Sequence, residues 1–130
     1  MLGKFSKNIA SFVAIAALSM GSSKAQDAQL LMYAAKLNVG YRIADECDKT
    51  NPGFLYQYER HLGIVVDLVE PRGINEELRR KADTIPELSS IQYLEKFKAL
   101  PVEGQLRRCI KVMLEIQEEA ADAQALSNPG

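Results

Sequence analysis

The chain has few of the residues on which enzyme chemistry depends. Its 130 residues include one histidine, two cysteines and no tryptophan. Serine-nucleophile motifs, phosphate-binding glycine loops and the H-E-x-x-H zinc motif are all absent from the sequence. The net charge is only −1, so the chain lacks the basic excess that nucleic-acid binding requires. We therefore expect a protein that is not an enzyme, needs no metal or cofactor and binds no nucleic acid.

Residues 1–25 are typical of a secretory signal peptide. Two lysines precede an apolar run of 12 residues, Ile9 to Met20, and Ser23 and Ala25 are the small residues that signal peptidase requires before its cleavage site. A run of this length is too short to cross a bilayer core about 30 Å thick. We expect Sec-type export to the periplasm or the exterior and cleavage after Ala25. The mature chain would then have a net charge of −4, because three lysines and no acid are removed. No stable membrane insertion of that chain is expected.

Both cysteines lie in the part that remains after cleavage. In an oxidising compartment Cys47 and Cys109 are expected to form a disulfide, since two cysteines allow only one pairing within the chain. Closing a loop of this length removes entropy from the unfolded state and stabilises the fold by about 4 kcal/mol. Redox or metal-binding cysteines usually have C-x-x-C spacing, which this pair lacks.

Apolar residues recur at steps of three and four through most of the mature chain, which is typical of amphipathic helices. The pattern predicts helices over Ala28–Cys47, Phe54–Val69, Glu76–Ala82, Ile91–Leu100 and from Pro101 to about Ala120. Asn75 is expected to cap the third helix, and Ser89 or Ser90 the fourth. A strand is the competing interpretation for the second segment, because Ile64, Val65 and Val66 are β-branched.

Together these patterns predict an all-α fold, a small bundle of four or five helices joined by one disulfide. We expect residues 26–126 to form the helical domain and residues 127–130 a flexible tail. The buried stripe of the last helix is predicted to contain Val102, Leu106, Cys109, Ile110, Met113 and Ile116 or Gln117.

The last helix has an unusual order of charges. Its basic residues, Arg107, Arg108 and Lys111, come first, and its acids, Glu115, Glu118, Glu119 and Asp122, come later. This order opposes the helix macrodipole, so we expect contacts with the bundle or with a partner to compensate. Together with Tyr41 and Tyr56, which fall off the predicted core stripes, residues 107, 108, 111, 115, 118 and 119 form the predicted partner-binding surface.

Two other groups are weighed and disfavoured. Asp45, Glu46 and Asp48 lack the ligand spacing of a calcium loop, so solvated helix-end charge is the better interpretation. His61 has no second histidine and no nucleophile near it in the sequence, and haem ligation by His61 with Met32 or Met113 is also disfavoured.

The leading hypothesis is an exported, non-enzymatic protein-binding module that acts on another envelope protein or on a second copy of itself. In size, expected location and disulfide, the chain is similar to periplasmic acid-stress chaperones and to small immunity proteins that neutralise imported cell-wall toxins. That similarity implies either many weak partners or one tight partner. A single histidine disfavours the acid-switched chaperone. The alternative hypothesis is a carrier of a small ligand, lipid or haem, held in a cavity between helices.

Overall fold

The computed structural model describes residues 24–127. The predicted leader up to residue 23 and the end of the predicted tail, residues 128–130, lie outside the described residues. Within that range the chain forms five α-helices, two short 3-10 turns and no strand. The helices are α1 (Lys24–Asp48), α2 (Phe54–Val69), α3 (Glu76–Thr84), α4 (Ser90–Lys98) and α5 (Val102–Ser127), and the 3-10 turns are Glu70–Arg72 and Pro86–Leu88. The predicted all-α fold is confirmed.

Helix α2 shows why the helical interpretation of the second segment is correct. Its buried side chains include Phe54, Tyr58, Val65 and Val69, which follow the steps of three and four that place residues on one helix face. A strand would have turned Val65 and Val66 to opposite faces. Burial against α1 and α5 outweighs the β-branched preference of the segment.

Aspartates at the ends of helices bind the first amides of the helices that follow. Asp48 Oδ1 accepts hydrogen bonds from the amides of Gly53 and Leu55, at 3.1 and 3.0 Å, at the start of α2. Asp83 accepts from the amide of Ser90 at 2.8 Å and from its hydroxyl at 3.0 Å, at the start of α4. Each aspartate thus satisfies amide groups that a helix leaves unpaired and favours by its negative charge.

The predicted caps are partly confirmed. Asn75 Oδ1 accepts from the amide of Leu78 at 2.9 Å, as expected. Ser89 occupies the predicted capping position of α4, but its side chain forms no capping hydrogen bond. Asp83 from α3 takes over that role, since its two carboxylate oxygens can bond both the amide and the hydroxyl of Ser90.

Helix α1 lies at the centre and contacts each of the other four helices, while α2 packs along α5. Three alanines of α1, Ala34, Ala35 and Ala44, are buried in its contacts with the other helices. The largest fully buried apolar side chains are Ile43, Val65, Val69 and Ile74. The core therefore lies around α1, and α2 covers one side of it.

The disulfide is confirmed. Cys47, at the end of α1, is bonded to Cys109, near the start of α5, with a Cα–Cα distance of 6.0 Å and both side chains buried. Tyr33, about four turns earlier on α1, contacts Glu119, further along α5. The two helices therefore run antiparallel, with the disulfide at one end of their contact.

Helix α5 corrects two predictions. It remains helical to Ser127, where fraying after Ala120 was expected, because Ala120 and Ala123 are buried against the bundle. The predicted buried stripe is correct for Cys109 and Ile116 but is wrong for Val102, Leu106 and Ile110, which are exposed because the buried face is rotated away from them. The residues that α5 buries are Cys109, Val112, Ile116, Glu119, Ala120 and Ala123. Rotation of this face brings Glu119 to Tyr33, a contact that the apolar pattern does not encode.

Candidate binding surfaces

The rotation of α5 leaves a row of large apolar side chains in solvent. We call Val102, Leu106, Ile110 and Leu114 the α5 ridge; they are 52–75% exposed. The four residues recur every fourth position, so they lie along one side of the helix over about 18 Å. Single exposed apolar residues are ordinary, but a contiguous row of four is typical of a binding surface.

A hollow of about 560 Å³ adjoins the ridge. Ile110 and Leu114 of the ridge and Met113 form one wall, and Pro52 and Phe54, at the start of α2, form part of the other. Gly53 adopts a left-handed backbone conformation, with φ of 94°, which turns the chain between α1 and α2 here. The ridge thus continues into a hollow with apolar walls and three polar side chains, Asn51, Gln57 and Gln117.

Two of the predicted partner-binding residues border the ridge. Arg107 and Lys111 directly follow Leu106 and Ile110 in the sequence, and Glu103 follows Val102, so the edge of the row has two basic residues and one acid. Arg107 forms an exposed ion pair with Glu103 at 3.1 Å, whereas Lys111 has no ion pair with any other described residue. Within the described chain, the ridge is therefore an apolar row with one cation outside any ion pair, Lys111, beside it.

The other predicted partner-binding residues are dispersed. Arg108 and Glu115 line a groove on the opposite flank of α5. Glu119 is only 2% exposed, so the expectation that it lies on an open polar face was wrong. Glu118 is half-buried on α5. The tyrosines lie elsewhere: the hydroxyl of Tyr41 donates to Glu59 at 3.3 Å, and Tyr56 on α2 is 65% exposed.

The α1–α5 groove, as we name it, has a volume of about 280 Å³. Its apolar walls include Met32, Val39, Leu88, Val112 and Ile116, and its polar groups are Lys36, Tyr58, Tyr93, Arg108, Glu115 and Glu119. The groove lies where α1 and α5 face each other and Tyr58 of α2 reaches between them. A gap between packed helices is a common place for a small-molecule site.

Glu119 is held at the edge of this groove by two groups of α1. The hydroxyl of Tyr33 donates to one carboxylate oxygen at 2.6 Å, and Lys36 Nζ lies 3.3 Å from the other. Burial and the neighbouring carboxylate raise the pKa of Tyr33 far above its ordinary value. Tyr33 and Lys36 therefore compensate the buried charge of Glu119 within the bundle. We expected contacts of this kind for the acids of α5.

The macrodipole argument weakens once the true length of α5 is known. The acids were expected near the end of a helix that frays after Ala120, but α5 continues to Ser127. The dipole effect falls off within the first and last turns. Arg107 and Glu115 both lie outside those turns, so the order of the charges destabilises the helix by much less than predicted.

Tyr58 is buried deep in the groove, with 3% of its surface exposed. A β-carbon at Gly40 would collide with its hydroxyl, so glycine at position 40 leaves room for the Tyr58 side chain in its present position. The hydroxyl forms no hydrogen bond with any other described residue. Burial, followed by the charges of Glu119 and Glu115, raises the pKa of Tyr58 well above its ordinary value. The group therefore remains a neutral hydrogen-bond donor.

The residues considered for metal or haem are separate from one another. His61 Nδ1 lies 2.8 Å from the carbonyl oxygen of Gln57 on its own helix. Met32 lines the α1–α5 groove, Met113 lines the hollow beside the ridge, and His61 lines neither. Within the described part of the chain, no three histidine, cysteine or acidic side chains are grouped so as to hold a metal ion.

The acidic residues at the end of α1 have structural partners. Glu46 forms an ion pair with Lys49 at 3.1 Å. Asp48 binds the first amides of α2, so it is more than the solvated charge that we expected.

Comparisons with protein-family models, with curated proteins and with solved structures found no match. In residues 24–127, none of the helices is both long enough and apolar enough to span a membrane.

Proposed function

We propose that the protein is an exported binding module that docks a helix of another envelope protein on the α5 ridge. The observation that supports this is the row of four large apolar side chains, each more than half exposed, on a helix otherwise packed into the bundle. A protein that only needed to fold would gain nothing from placing Leu106, Ile110 and Leu114 in water.

A partner helix fits the shape of this surface. An amphipathic helix presents its own apolar stripe at steps of three and four, so it can lie along a row spaced every fourth residue. The hollow of about 560 Å³ beside Ile110 and Leu114 can accept one large side chain of such a helix. The partner stripe should have acidic residues on one side, opposite Lys111 and Arg107.

The expected location supports the same proposal. The Cys47–Cys109 disulfide suits an oxidising compartment. The sequence of residues 1–25 is typical of a signal peptide. We propose that the leader directs the chain to the periplasm and is removed there, leaving the helical domain to meet its partner in the envelope.

Photo-crosslinking in intact cells tests the partner and the surface together. A photoreactive phenylalanine analogue at position 110 should crosslink to one protein, at an amphipathic helical segment with acids beside its apolar stripe. The matched control places the same analogue at Ile91, which is 54% exposed on α4 and lies outside the ridge. Crosslinks from position 110 to a second copy of this chain, to many unrelated proteins, or to nothing would overturn the proposal.

Variants of the same two positions then measure the contribution of the ridge. Ile110→Asp should weaken binding of the purified crosslinked partner at least tenfold, and Ile91→Asp should not. Lys111→Glu should weaken it less, mainly by slowing association. Because residues 91, 110 and 111 lie outside the core, circular dichroism should show unchanged thermal unfolding for all three variants. Equal binding by Ile110→Asp and Ile91→Asp would move the partner site elsewhere.

A further inference from the structure

The α1–α5 groove contains two opposite charges without ion-pair partners. Arg108 and Glu115 are half-buried, both line the groove, and neither forms an ion pair with another described residue. They are seven residues apart on α5, which places them on the same flank about 10 Å apart along the helix axis. The nearby Lys36 and Glu119 already neutralise each other at 3.3 Å. The charges left for a ligand are thus one cation and one anion.

The interior of the groove adds a hydrogen-bond donor. Tyr58 is 97% buried, lines the groove and has no hydrogen-bond partner among the described residues. Among the described residues its oxygen is not one of the solvent-inaccessible polar atoms that lack a partner, so the hydroxyl faces the open groove. Gly40, which has no β-carbon, gives this hydroxyl the space that it occupies. A bound molecule with an acceptor atom would satisfy it.

The remaining surface of the groove is apolar. Val39, Leu88, Val112 and Ile116 supply aliphatic walls, and the volume is about 280 Å³. Drug-sized ligands usually occupy pockets of roughly 300–1,000 Å³, so this groove suits a smaller molecule. Its ligand needs an apolar body and a compact polar end.

We propose that the α1–α5 groove binds a small zwitterion with an apolar body, of which a free α-amino acid with an aromatic or branched aliphatic side chain is the simplest kind. The ligand carboxylate would pair with Arg108 and accept from Tyr58, and its ammonium group would pair with Glu115. The apolar side chain would lie against Val112 and Ile116. This site is independent of the proposed partner surface, because it lies on the opposite flank of α5.

The balance of charge argues against simpler amphiphiles. A purely anionic ligand such as a fatty acid could pair with Arg108 but would leave Glu115 without a cation. A purely cationic ligand would meet Arg108 and Lys36 in the same way. Only a molecule with both charges satisfies Arg108 and Glu115 together, and it leaves neither charge unpaired in a half-buried site.

Three matched probes test the charge requirement. Isothermal titration calorimetry of the full oxidised protein would compare L-phenylalanine with N-acetyl-L-phenylalanine, which lacks the cation, and with L-phenylalaninamide, which lacks the anion. L-phenylalanine should bind at least tenfold more tightly than either capped compound. Equal affinity for all three would indicate adsorption of the ring alone and would overturn the proposal, as would no detectable binding of L-phenylalanine at millimolar concentration.

Paired variants test the residues. Arg108→Gln and Glu115→Gln should each weaken L-phenylalanine binding at least tenfold, while Arg107→Gln and Glu103→Gln on the exposed side of the same helix should leave it unchanged. Tyr58→Phe keeps the ring and should weaken binding severalfold, with the exposed Tyr56→Phe as its control. Arg108→Gln should also reduce the preference for L-phenylalanine over L-phenylalaninamide, a change that mere loss of stability would not cause. An unchanged preference would contradict the assigned role of Arg108.

Discussion

Helix α5 has two flanks that differ in how their side chains are partnered. The inner flank contains Glu119, which is 2% exposed and contacts both Tyr33 and Lys36 of α1. The outer flank contains Ile110, which is 60% exposed although it is fully apolar. A charge is buried and a hydrocarbon side chain is in water, the reverse of the usual distribution.

The difference shows that packing of apolar side chains in the core does not account for every residue of this helix. A buried carboxylate is tolerated only when hydrogen bonds and an opposite charge compensate its loss of water, and Tyr33 and Lys36 supply both. An exposed isoleucine has no such compensation in the described chain. The inner flank is therefore explained by the fold, and for the outer flank we propose the partner helix as the explanation.

Removing the disulfide should cause the largest loss of stability, because Cys109 fixes the start of the inner flank to α1. The loop between Cys47 and Cys109 spans 62 positions, and its closure stabilises the fold by about 4 kcal/mol in the chain-entropy model. The variant with both cysteines replaced by alanine should lose that amount in urea unfolding. Reductant should lower the midpoint of the wild-type protein and leave the variant unaffected. Equal midpoints for oxidised and reduced wild type would contradict the predicted contribution.

Glu119→Ala should give the next largest effect, about 2 kcal/mol of lost stability. The substitution leaves the buried hydroxyl of Tyr33 without its acceptor and Lys36 without its counter-ion, although Lys36 retains access to water. Glu103→Ala on the same helix is the matched control. It breaks only an exposed pair with Arg107 and should change stability by about 0.3–0.5 kcal/mol. Similar losses for the two variants would show that the inner flank does not depend on Glu119.

Alkaline pH should weaken the inner flank by an amount that grows with pH. The pKa values of Tyr33 and Tyr58 are raised above 10, first by burial and then by carboxylates of α5. Below pH 10 the folded and unfolded states both hold these protons, so the contribution to stability is fully present. Above pH 10 the unfolded state releases them first, and stability should fall by about 1.4 kcal/mol per pH unit for each tyrosine. Tyr58→Phe should shift the alkaline unfolding midpoint, followed by circular dichroism, to higher pH. An unchanged midpoint would contradict this assignment.

The parts of the fold that the sequence predicts correctly are specified locally. The bounds of α2 follow from a run of turn residues before Phe54 and from a single apolar face. Asn75 caps α3 because its side chain bonds an amide three residues later. The disulfide follows from there being only two cysteines. Each of these needs no knowledge of what lies across the bundle.

The rotation of α5 could not be predicted in the same way. Large apolar residues recur every fourth position from Val102 to Leu114, and a second row passes through Cys109 and Ile116. Either row can serve as a buried stripe by periodicity alone. The choice depends on Glu119 meeting Tyr33, two residues that are 86 positions apart. The close approach of Tyr58 to Gly40 is likewise a tertiary contact, so the groove was expected only as an unspecified cavity between helices.

A substitution on the outer flank should have the smallest effect on stability. A small effect there would show that the two flanks of α5 differ in how they contribute to the fold. Ile110→Ala and Ile116→Ala remove the same atoms from the same helix, but Ile110 is 60% exposed and Ile116 is 2% exposed. Ile116→Ala should cost about 2–5 kcal/mol, because it removes buried hydrocarbon and leaves a cavity. Ile110→Ala should stay within about 0.5 kcal/mol of wild type. Urea unfolding of both variants measures the difference directly. A loss above 1 kcal/mol for Ile110→Ala would mean that the ridge packs within the protein itself, and it would then need no partner to explain it.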